Sequence, residues 1–299
     1  MRVSQWERHI VHGFDPESIK SSNFESIRWL DLSGNPASAP DYEVLPDPEA
    51  VLHGELAPDF ENLRVRSDKT FVAGCLPQFF EEWQANFAEI PGFATVKTWL
   101  QNGVDFYDFF THYSGIYRGR NFDSVVPPPM YFPNAPIAYK YGWFVTESIL
   151  KGLENGSMQC VGKVGKDSPP RVINALSISV EPTKNRLILS MKGVNLFCKD
   201  THFQLQTLAE IVKGVKPSGY FSSLDDVNGY KQIPLHPKSW EFCGFQWSGH
   251  YFVDTCLSFG WKNAAYVYTT TGNVISQWLR LRGVHTSLWI DDRFVGQVV

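Results

Sequence analysis

Three aspartates are the residues in this sequence whose type and spacing best suit chemistry. Asp291 and Asp292 are adjacent and lie between apolar residues, which is the pattern of a tight turn between two strands. Asp225 follows residues 220–224, which are predicted to form another strand that ends there. Hard cations bind carboxylate oxygens, and three carboxylates in one place repel each other unless divalent cations neutralise them. If the two segments are neighbours in the fold, they form a metal site.

Each half of this site also has an ordinary interpretation. An Asp-Asp pair arises by chance in chains in which about a quarter of the residues are charged. Asp225 alone fits a turn residue or a helix cap. Together, the three carboxylates fit a site with two Mg²⁺ ions, about 3.5–4 Å apart, that activates an attacking hydroxyl and stabilises a leaving phosphate oxygen. That is the chemistry of nucleotidyl transfer.

The elements that must position these aspartates are a mixture of strands and helices. Strands are predicted at residues 159–164, 173–180, 185–191, 220–224, 241–247 and 250–256, and helices at 77–87, 96–100, 146–153, 205–213 and 263–282. Thr146 is the predicted N-cap of the third helix, and Gly156 is its stop. Residues 288–294 are predicted to form a hairpin with the two acidic residues at its tip.

Composition limits the class of protein. The chain has 299 residues, 43% of them hydrophobic, so a substantial core is expected. Its five cysteines are scattered without a CxxC pair, which argues against a disulfide framework or a structural zinc site. No apolar run is long enough for a membrane helix, and the N-terminus lacks the apolar segment of a signal peptide. We therefore expect an intracellular protein, cytoplasmic or nuclear, with no membrane partner.

Charge divides the chain unevenly. Residues 1–70 carry 7 basic and 13 acidic side chains and are rich in proline and serine, so we predict an acidic, poorly ordered leader. Residues 71–140 are predicted to be a helical N-terminal extension. Residues 140–299 carry 17 basic and 12 acidic side chains, and this half alone suits a polyanionic partner.

Four ordered motifs resemble those of reverse transcriptases. They are FSSLDDVNGYKQIPLHP at 221–237, LSFGWKNAAYVY at 257–268, WIDD at 289–292 and RLILSMKGVN at 186–195. Within that family, the stretches 251–255, 257–260 and 264–269 and the upstream block 74–105 are most similar to DIRS-type retrotransposons, which move with a tyrosine recombinase. The resemblance covers residues 72–299 and leaves residues 1–70 unmatched.

The resemblance implies a fold and a partner set. The fold is α+β, with the fingers and palm of a right-hand polymerase and an antiparallel palm sheet, which we assign to residues 141–299. The family continues past the Asp-Asp hairpin into the rest of the palm and the thumb, so the expected module is C-terminally incomplete and lacks the thumb. The implied partners are an RNA or DNA template-primer and deoxynucleoside triphosphates, with two Mg²⁺ ions, or Mn²⁺ in their place, as cofactors. The oligomeric state is not predicted.

The family's residue roles transfer to matching positions. Asp225, Asp291 and Asp292 are the implied catalytic metal ligands. The implied nucleotide-binding residues are Arg186 on the triphosphate, Asp226 beside it, Tyr230 as the gate against a ribose 2′-hydroxyl, and Phe259 and Gly260 in a turn against the nucleotide.

The sequence departs from the family pattern at positions that are not metal ligands. Trp289 stands where tyrosine is usual, Ser190 where aspartate is usual, Lys192 where arginine is usual, and Ala265 where proline is common. These departures put rate and fidelity in question more than identity.

Three functional hypotheses follow from the sequence. The first is an RNA-directed DNA polymerase module. The second is a catalytically inactive, truncated retroelement remnant that binds nucleic acid or a partner. The third is a metal-dependent phosphoesterase, which is disfavoured because the sequence lacks the expected His/Asp ligand clusters. Whether the chain is an enzyme depends on which of the first two is correct.

Overall fold

A six-stranded sheet, a three-stranded sheet and a long helix that packs on the smaller of the two form the framework of the described residues. A computed structural model describes residues 71–181, 184–206 and 221–297. The acidic segment 1–70 and most of the helix predicted at 205–213 lie outside the described residues. Both helices and strands are present throughout the described chain, which confirms the mixed α+β class.

The helices in the described residues are α1 (Phe80–Phe87), α2 (Phe93–Asn102), α3 (Pro136–Lys140), α4 (Gly142–Asn155), α5 (Lys192–Asn195) and α6 (Ala264–Leu281). The strands are β1 (Tyr113–Tyr117), β2 (Arg120–Ser124), β3 (Met130–Tyr131), β4 (Met158–Lys163), β5 (Val172–Val180), β6 (Asn185–Ser190), β7 (Phe221–Asp225), β8 (Gly244–Trp247), β9 (His250–Asp254), β10 (Val284–Trp289) and β11 (Asp292–Gln297). None of the described helices has both the length and the hydrophobicity needed to span a membrane.

The larger sheet has the order β3-β5-β8-β9-β4, and β6 pairs with the C-terminal half of β5. β5 runs parallel to β3 and β8, whereas the other pairs of this sheet are antiparallel. β5 is buried along most of its length, and it pairs with β3, β6 and β8. The smaller sheet is entirely antiparallel and has the order β10-β11-β7.

Aromatic side chains join residues 71–140 to the rest of the fold. The Phe106 ring stacks on Trp261 with centroids 4.0 Å apart, and Phe87 contacts Trp278 of α6 at 5.6 Å. This segment also contains the β1–β2 hairpin, in addition to the helices that the sequence predicts. It packs into the same hydrophobic core as α6.

The prediction for the start of α4 is wrong. The helix begins at Gly142, directly after α3, and Tyr141 is its N-cap. Thr146 lies inside the helix and is buried, and its Oγ1 accepts a hydrogen bond of 2.9 Å from Nε1 of Trp247. Gly156 ends the helix in the left-handed conformation (φ 79°), as predicted.

Candidate active site

Asp225 and Asp292 face each other across two strands of the smaller sheet. β7 and β11 pair antiparallel with Asp225 opposite Asp292, and Trp289 of β10 is opposite Asp292 on the other side. The next residue, Arg293, points to α6, so side-chain alternation directs Asp292 and Asp225 to the opposite, open face. Both aspartates are exposed there. The register therefore makes the two segments neighbours, which is the condition that the sequence set for a metal site.

The tip of the hairpin differs by one residue from the prediction. Ile290 and Asp291 form the two-residue turn, and Asp292 is the first residue of β11 rather than part of the tip. Ile290 has φ 54°, which is a strained conformation for a β-branched residue. The backbone N–H of Asp226 donates to the carbonyl of Asp291 at 3.3 Å, which ties the turn to the end of β7.

Asp226 is held from the other side of the sheet. The hydroxyl of Tyr268, on α6, donates a short hydrogen bond to Oδ2 of Asp226. Burial of the phenol, with this bond and the charges of Asp226 and Asp291, raises the pKa of Tyr268 well above its ordinary value. Tyr268 therefore stays a neutral donor at physiological pH. One carboxylate oxygen of Asp226 is therefore held by the protein.

Arg293 anchors the hairpin to α6. Its Nη1 donates to Oγ of Ser276 at 2.7 Å, and its Nη2 donates to the carbonyl of Gly272 at 3.0 Å. Arg293 is buried, and burial lowers the pKa of its guanidinium. It remains charged at neutral pH because an arginine pKa lies far above 7. The small sheet therefore carries the exposed carboxylates on one face and the charged Arg293 guanidinium on the other.

Tyr230 lies in the middle of an aromatic stack. Its ring is parallel to Phe259 on one side (4.5 Å, 26°) and to Tyr268 on the other (4.8 Å, 12°). Burial and the nearby charge of Asp291 raise the pKa of Tyr230. Gly229 leaves no room for a Cβ because the hydroxyl of Tyr268 occupies that space. The stack places Tyr230 beside the carboxylates in a fixed orientation.

Gly260 brings the turn at 258–261 against the end of β6. A Cβ at Gly260 would clash with the carbonyl oxygen of Leu189, so only glycine fits there. The side-chain amide of Asn195 donates to the Gly260 carbonyl at 2.8 Å, and its Oδ1 accepts from the backbone N–H of Lys262 at 2.9 Å. Phe259 next to it is 68% exposed. The turn therefore presents an aromatic ring to solvent from a rigid backbone.

Arg186 is the predicted site residue that the structure does not bring to this cluster. It lies on β6, three residues and roughly 10 Å along the strand from Leu189. Its Nε is 3.3 Å from Oε1 of Glu181, and both side chains are about half exposed. In the part of the chain that the structure describes, Arg186 pairs with Glu181 and not with a site aspartate.

The donor set at the end of the sheet suits a hard cation. The carboxylates of Asp225, Asp291 and Asp292 are exposed, and no described side chain donates a hydrogen bond to them or forms an ion pair with them. They are nevertheless not arranged as a finished site: within residues 71–297 as described, no group of three or more His, Cys, Asp or Glu side chains is placed to hold a metal ion. The oxygen donors fit Mg²⁺ or Mn²⁺ in kind, and side-chain movement is needed for them to bind one ion together.

Sequence reasoning missed two residues that support the site. Tyr268 of α6 contacts Asp226, and Arg293 joins β11 to α6, but neither was singled out as functional. The signal for Arg293 was a charged residue at an inward position of an apolar strand, directly after the aspartates. No signal in the sequence marks Tyr268, because its partners Asp226 and Tyr230 lie in a distant segment.

The chain is similar in sequence to part of a viral protein. It is 32% identical over 91 residues to the "Enzymatic polyprotein" of Cestrum yellow leaf curling virus, a match that covers 30% of this chain and 14% of the polyprotein. The match therefore spans only about one seventh of that relative. No protein-family model matches the chain.

The chain also resembles two solved structures at low scores. One is the native protease-reverse transcriptase of prototype foamy virus, with 19% identity and a TM-score of 0.44 over 76% of this chain and 30% of that one. The other is the foamy viral protease-reverse transcriptase in complex with dsDNA, with 18% identity and a TM-score of 0.46 over 76% of this chain and 46% of that one. Scores at this level do not establish a common fold.

Proposed function

We propose that this chain is a fingers-palm module of a retroelement RNA-directed DNA polymerase. The observation that carries the proposal is the register of β7 and β11, which sets Asp225 opposite Asp292 beside the Asp291 turn. The four ordered motifs and the partial similarity to a viral enzymatic polyprotein support it. In this interpretation the β10-β11-β7 sheet is the palm, and the larger sheet belongs to the fingers.

Asp225, Asp291 and Asp292 would hold two Mg²⁺ ions. The ligands would be their exposed carboxylate oxygens at one end of the sheet. When bound, such ions activate a primer 3′-hydroxyl and stabilise the leaving phosphate oxygen of a deoxynucleoside triphosphate. The chain's own contribution is to hold the carboxylates on a rigid support. The Tyr268 bond to Asp226 and the Arg293 bonds to α6 fix the two acidic segments from the far side.

The aromatic stack would position the nucleotide. Phe259 is exposed and can lie against a base, and Tyr230 is held by rings on both faces. A rigid ring at Tyr230 would exclude a ribose 2′-hydroxyl, which makes the product DNA. Arg186 would reach the triphosphate only after leaving Glu181, an exposed pair that costs little to separate.

The experiment is primer extension by the full chain on an RNA template with a DNA primer, with Mg²⁺ or Mn²⁺. We expect templated incorporation of deoxynucleotides, and its loss in Asp225→Asn, Asp291→Asn and Asp292→Asn. Asp108→Asn, an exposed aspartate of a 3₁₀ turn, is the matched control and should keep full activity. Equal activity of the wild type and all three site variants would overturn the proposal.

A second candidate is a nucleic-acid-binding module without catalysis. It is favoured by the absence of a preformed metal-binding group among the described residues. This candidate predicts binding of a primer-template without any extension under either metal. Templated synthesis that depends on Asp225 would exclude it.

A further inference from the structure

The β1–β2 hairpin is an aromatic-lined element docked beside α5. Its inward face carries Tyr113, Tyr117 and Phe122. Tyr113 and Phe122 contact the ring of Phe197, just after α5, at 5.3 and 5.9 Å, and Tyr117 contacts Phe132 at 6.0 Å. The body of the hairpin is therefore fixed, and its turn projects from a packed base.

The turn of this hairpin carries two cations that lie over aromatic rings. The guanidinium of Arg118 is 5.0 Å from the centroid of Phe132 and 5.7 Å from that of Tyr117, and Arg120 is 5.5 Å from that of Phe122. Both arginines are exposed, and neither forms an ion pair within the described residues. Such stacking restricts each guanidinium while leaving its N–H groups open to solvent.

The carboxylate of the hairpin does not pair with these cations. Asp123, on β2, is 2.6 Å from Nε2 of His112, and strand alternation puts it on the face opposite Arg120 and Phe122. A third exposed cation, Lys192, begins α5 and also has no ion pair among the described residues. The surface formed by Arg118, Arg120 and Lys192 is therefore positively charged, although the chain as a whole is acidic.

Packed contacts link the support of this basic surface to the candidate active site. A Cβ on Gly193 would lie 2.5 Å from Cε2 of Phe132, the ring under Arg118, so α5 is packed directly against the hairpin's support. α5 follows β6, whose Leu189 carbonyl touches Gly260. Phe259, which stacks on Tyr230, is next to Gly260. Packed contacts thus connect the carboxylate end of the small sheet to the hairpin turn.

We propose that the β1–β2 hairpin binds the unpaired template strand that extends beyond the primer end, through phosphates at Arg118, Arg120 and Lys192. This inference rests on the proposed function, because that function defines the strand. Exposed arginines stacked on aromatic rings, with a further exposed lysine on α5, suit a single-stranded polyanion whose bases are free to stack. Phe259 is an exposed ring at the candidate active site.

The binding test uses the full chain without nucleotides, so that it does not depend on synthesis. Fluorescence anisotropy measures its affinity for a blunt duplex and for the same duplex with a 5′ template overhang of about 10 nucleotides. The test variant is Arg118→Gln with Arg120→Gln, and Lys192→Gln is measured separately. The matched control, Lys140→Gln with Lys166→Gln, removes the same charge from exposed positions elsewhere.

The overhang should strengthen binding to the wild type, and the hairpin variant should lose roughly tenfold in affinity for the overhang duplex at about 0.1 M salt. The salt dependence of binding should fall by about 0.7 for each lost contact. The blunt duplex and the control variant should be unaffected. Equal losses on both duplexes, equal affinity of variant and wild type, or tighter binding of an acidic peptide would each overturn the proposal.

Failure of the proposed function gives a different result. Overhang binding that depends on the hairpin, in a chain that extends no primer, would support the hairpin surface and contradict polymerase activity. Extension of a primer, with equal affinity for the blunt and the overhang duplex, would support polymerase activity and contradict the role of the hairpin surface. The hairpin variant should still extend a primer on a template with a single unpaired nucleotide.

Discussion

Asp225 lies directly opposite Asp292 in the pairing of β7 with β11, at the end of a sheet whose other face packs on α6. Neither aspartate gains this position from its own side-chain contacts. The position comes from backbone register, and the register is fixed because a slip of one residue would turn Arg293 away from Gly272 and Ser276. The aspartates therefore lie on one face of the small sheet, and the bonds from Arg293 to α6 lie on the other.

Removing the hydroxyl of Tyr268 should loosen the carboxylates without disturbing the ring stack. We expect Tyr268→Phe to lower the free energy of unfolding by about 1 kcal/mol and to weaken Mg²⁺ affinity about tenfold, because Asp226 loses its donor. Chemical denaturation and metal titration measure the two effects. Tyr266→Phe, on the same helix and with only ring contacts described, is the control and should change neither. Unchanged metal affinity in Tyr268→Phe would contradict the positioning role.

Replacing Arg293 by methionine should detach the hairpin from α6. The change leaves the Gly272 carbonyl and the Ser276 hydroxyl without their cationic donor, and we expect a loss of about 2 kcal/mol in unfolding free energy. Urea denaturation gives this value. Arg282→Met removes an exposed arginine that lies over Trp278 and should cost less than about 1 kcal/mol. Equal losses of unfolding free energy in both variants would show that the buried bonds of Arg293 stabilise the fold no more than an exposed arginine does.

Tyr230 should decide between deoxyribonucleotides and ribonucleotides. Tyr230→Ala opens the space between Phe259 and Tyr268, and we expect ribonucleotide incorporation relative to deoxyribonucleotide to rise about 10- to 100-fold. Tyr230→Phe keeps the ring and should keep the discrimination of the wild type. The ratio of kcat/KM for the two nucleotides is the measurement. A ratio that is the same in all three proteins would exclude a gate at this position.

The stability of the fold should depend on pH through Asp254 of β9. Burial raises the pKa of Asp254 from 3.8 to about 6, partly offset by the charge of Lys231 and a hydrogen bond from Ser258. The folded protein therefore holds this proton more tightly than the unfolded chain does. The resulting stabilisation is complete below the unfolded pKa and is lost as pH rises through the folded pKa.

Asp254→Asn should remove that dependence. Between about pH 4 and pH 6, the unfolding free energy of the variant should rise relative to the wild type by about 3 kcal/mol and then level off. Denaturation curves at several pH values, compared between the two proteins, isolate this group from other carboxylates. A constant difference across the range would show that Asp254 has an ordinary pKa in the folded state.

The sequence predicted the parts of the site that local patterns determine. Strand and turn chemistry placed Asp225 at a strand end and the Asp-Asp pair at a hairpin, and the glycine stop of α4 was correct. The boundary of the hairpin turn was off by one residue. Two acidic residues suggested the tip, whereas the register uses Ile290 in a left-handed conformation and leaves Asp292 in the strand. A strained isoleucine is stabilised by tertiary contacts that a single sequence does not display.

The supporting residues depend on contacts between distant segments. Tyr268 reaches Asp226 across 42 residues of sequence, and Arg293 reaches Gly272 across 21. No periodicity or motif specifies such pairs. Thr146 illustrates the same limit, because its hydroxyl serves Trp247, 101 residues away, instead of capping the helix. Long-range polar contacts of this kind determine the role of a side chain, as they do for Thr146, and local sequence patterns do not reveal them.

We propose that the end of the β10-β11-β7 sheet is a divalent-metal site built by Asp225, Asp291 and Asp292. Electron paramagnetic resonance of Mn²⁺ titrated into the full chain, with primer-template and a deoxynucleoside triphosphate present, measures it directly. We predict two bound ions per chain in the wild type and in Asp108→Asn, and fewer in Asp292→Asn. Binding of the same number of ions by Asp292→Asn and the wild type would contradict the claim.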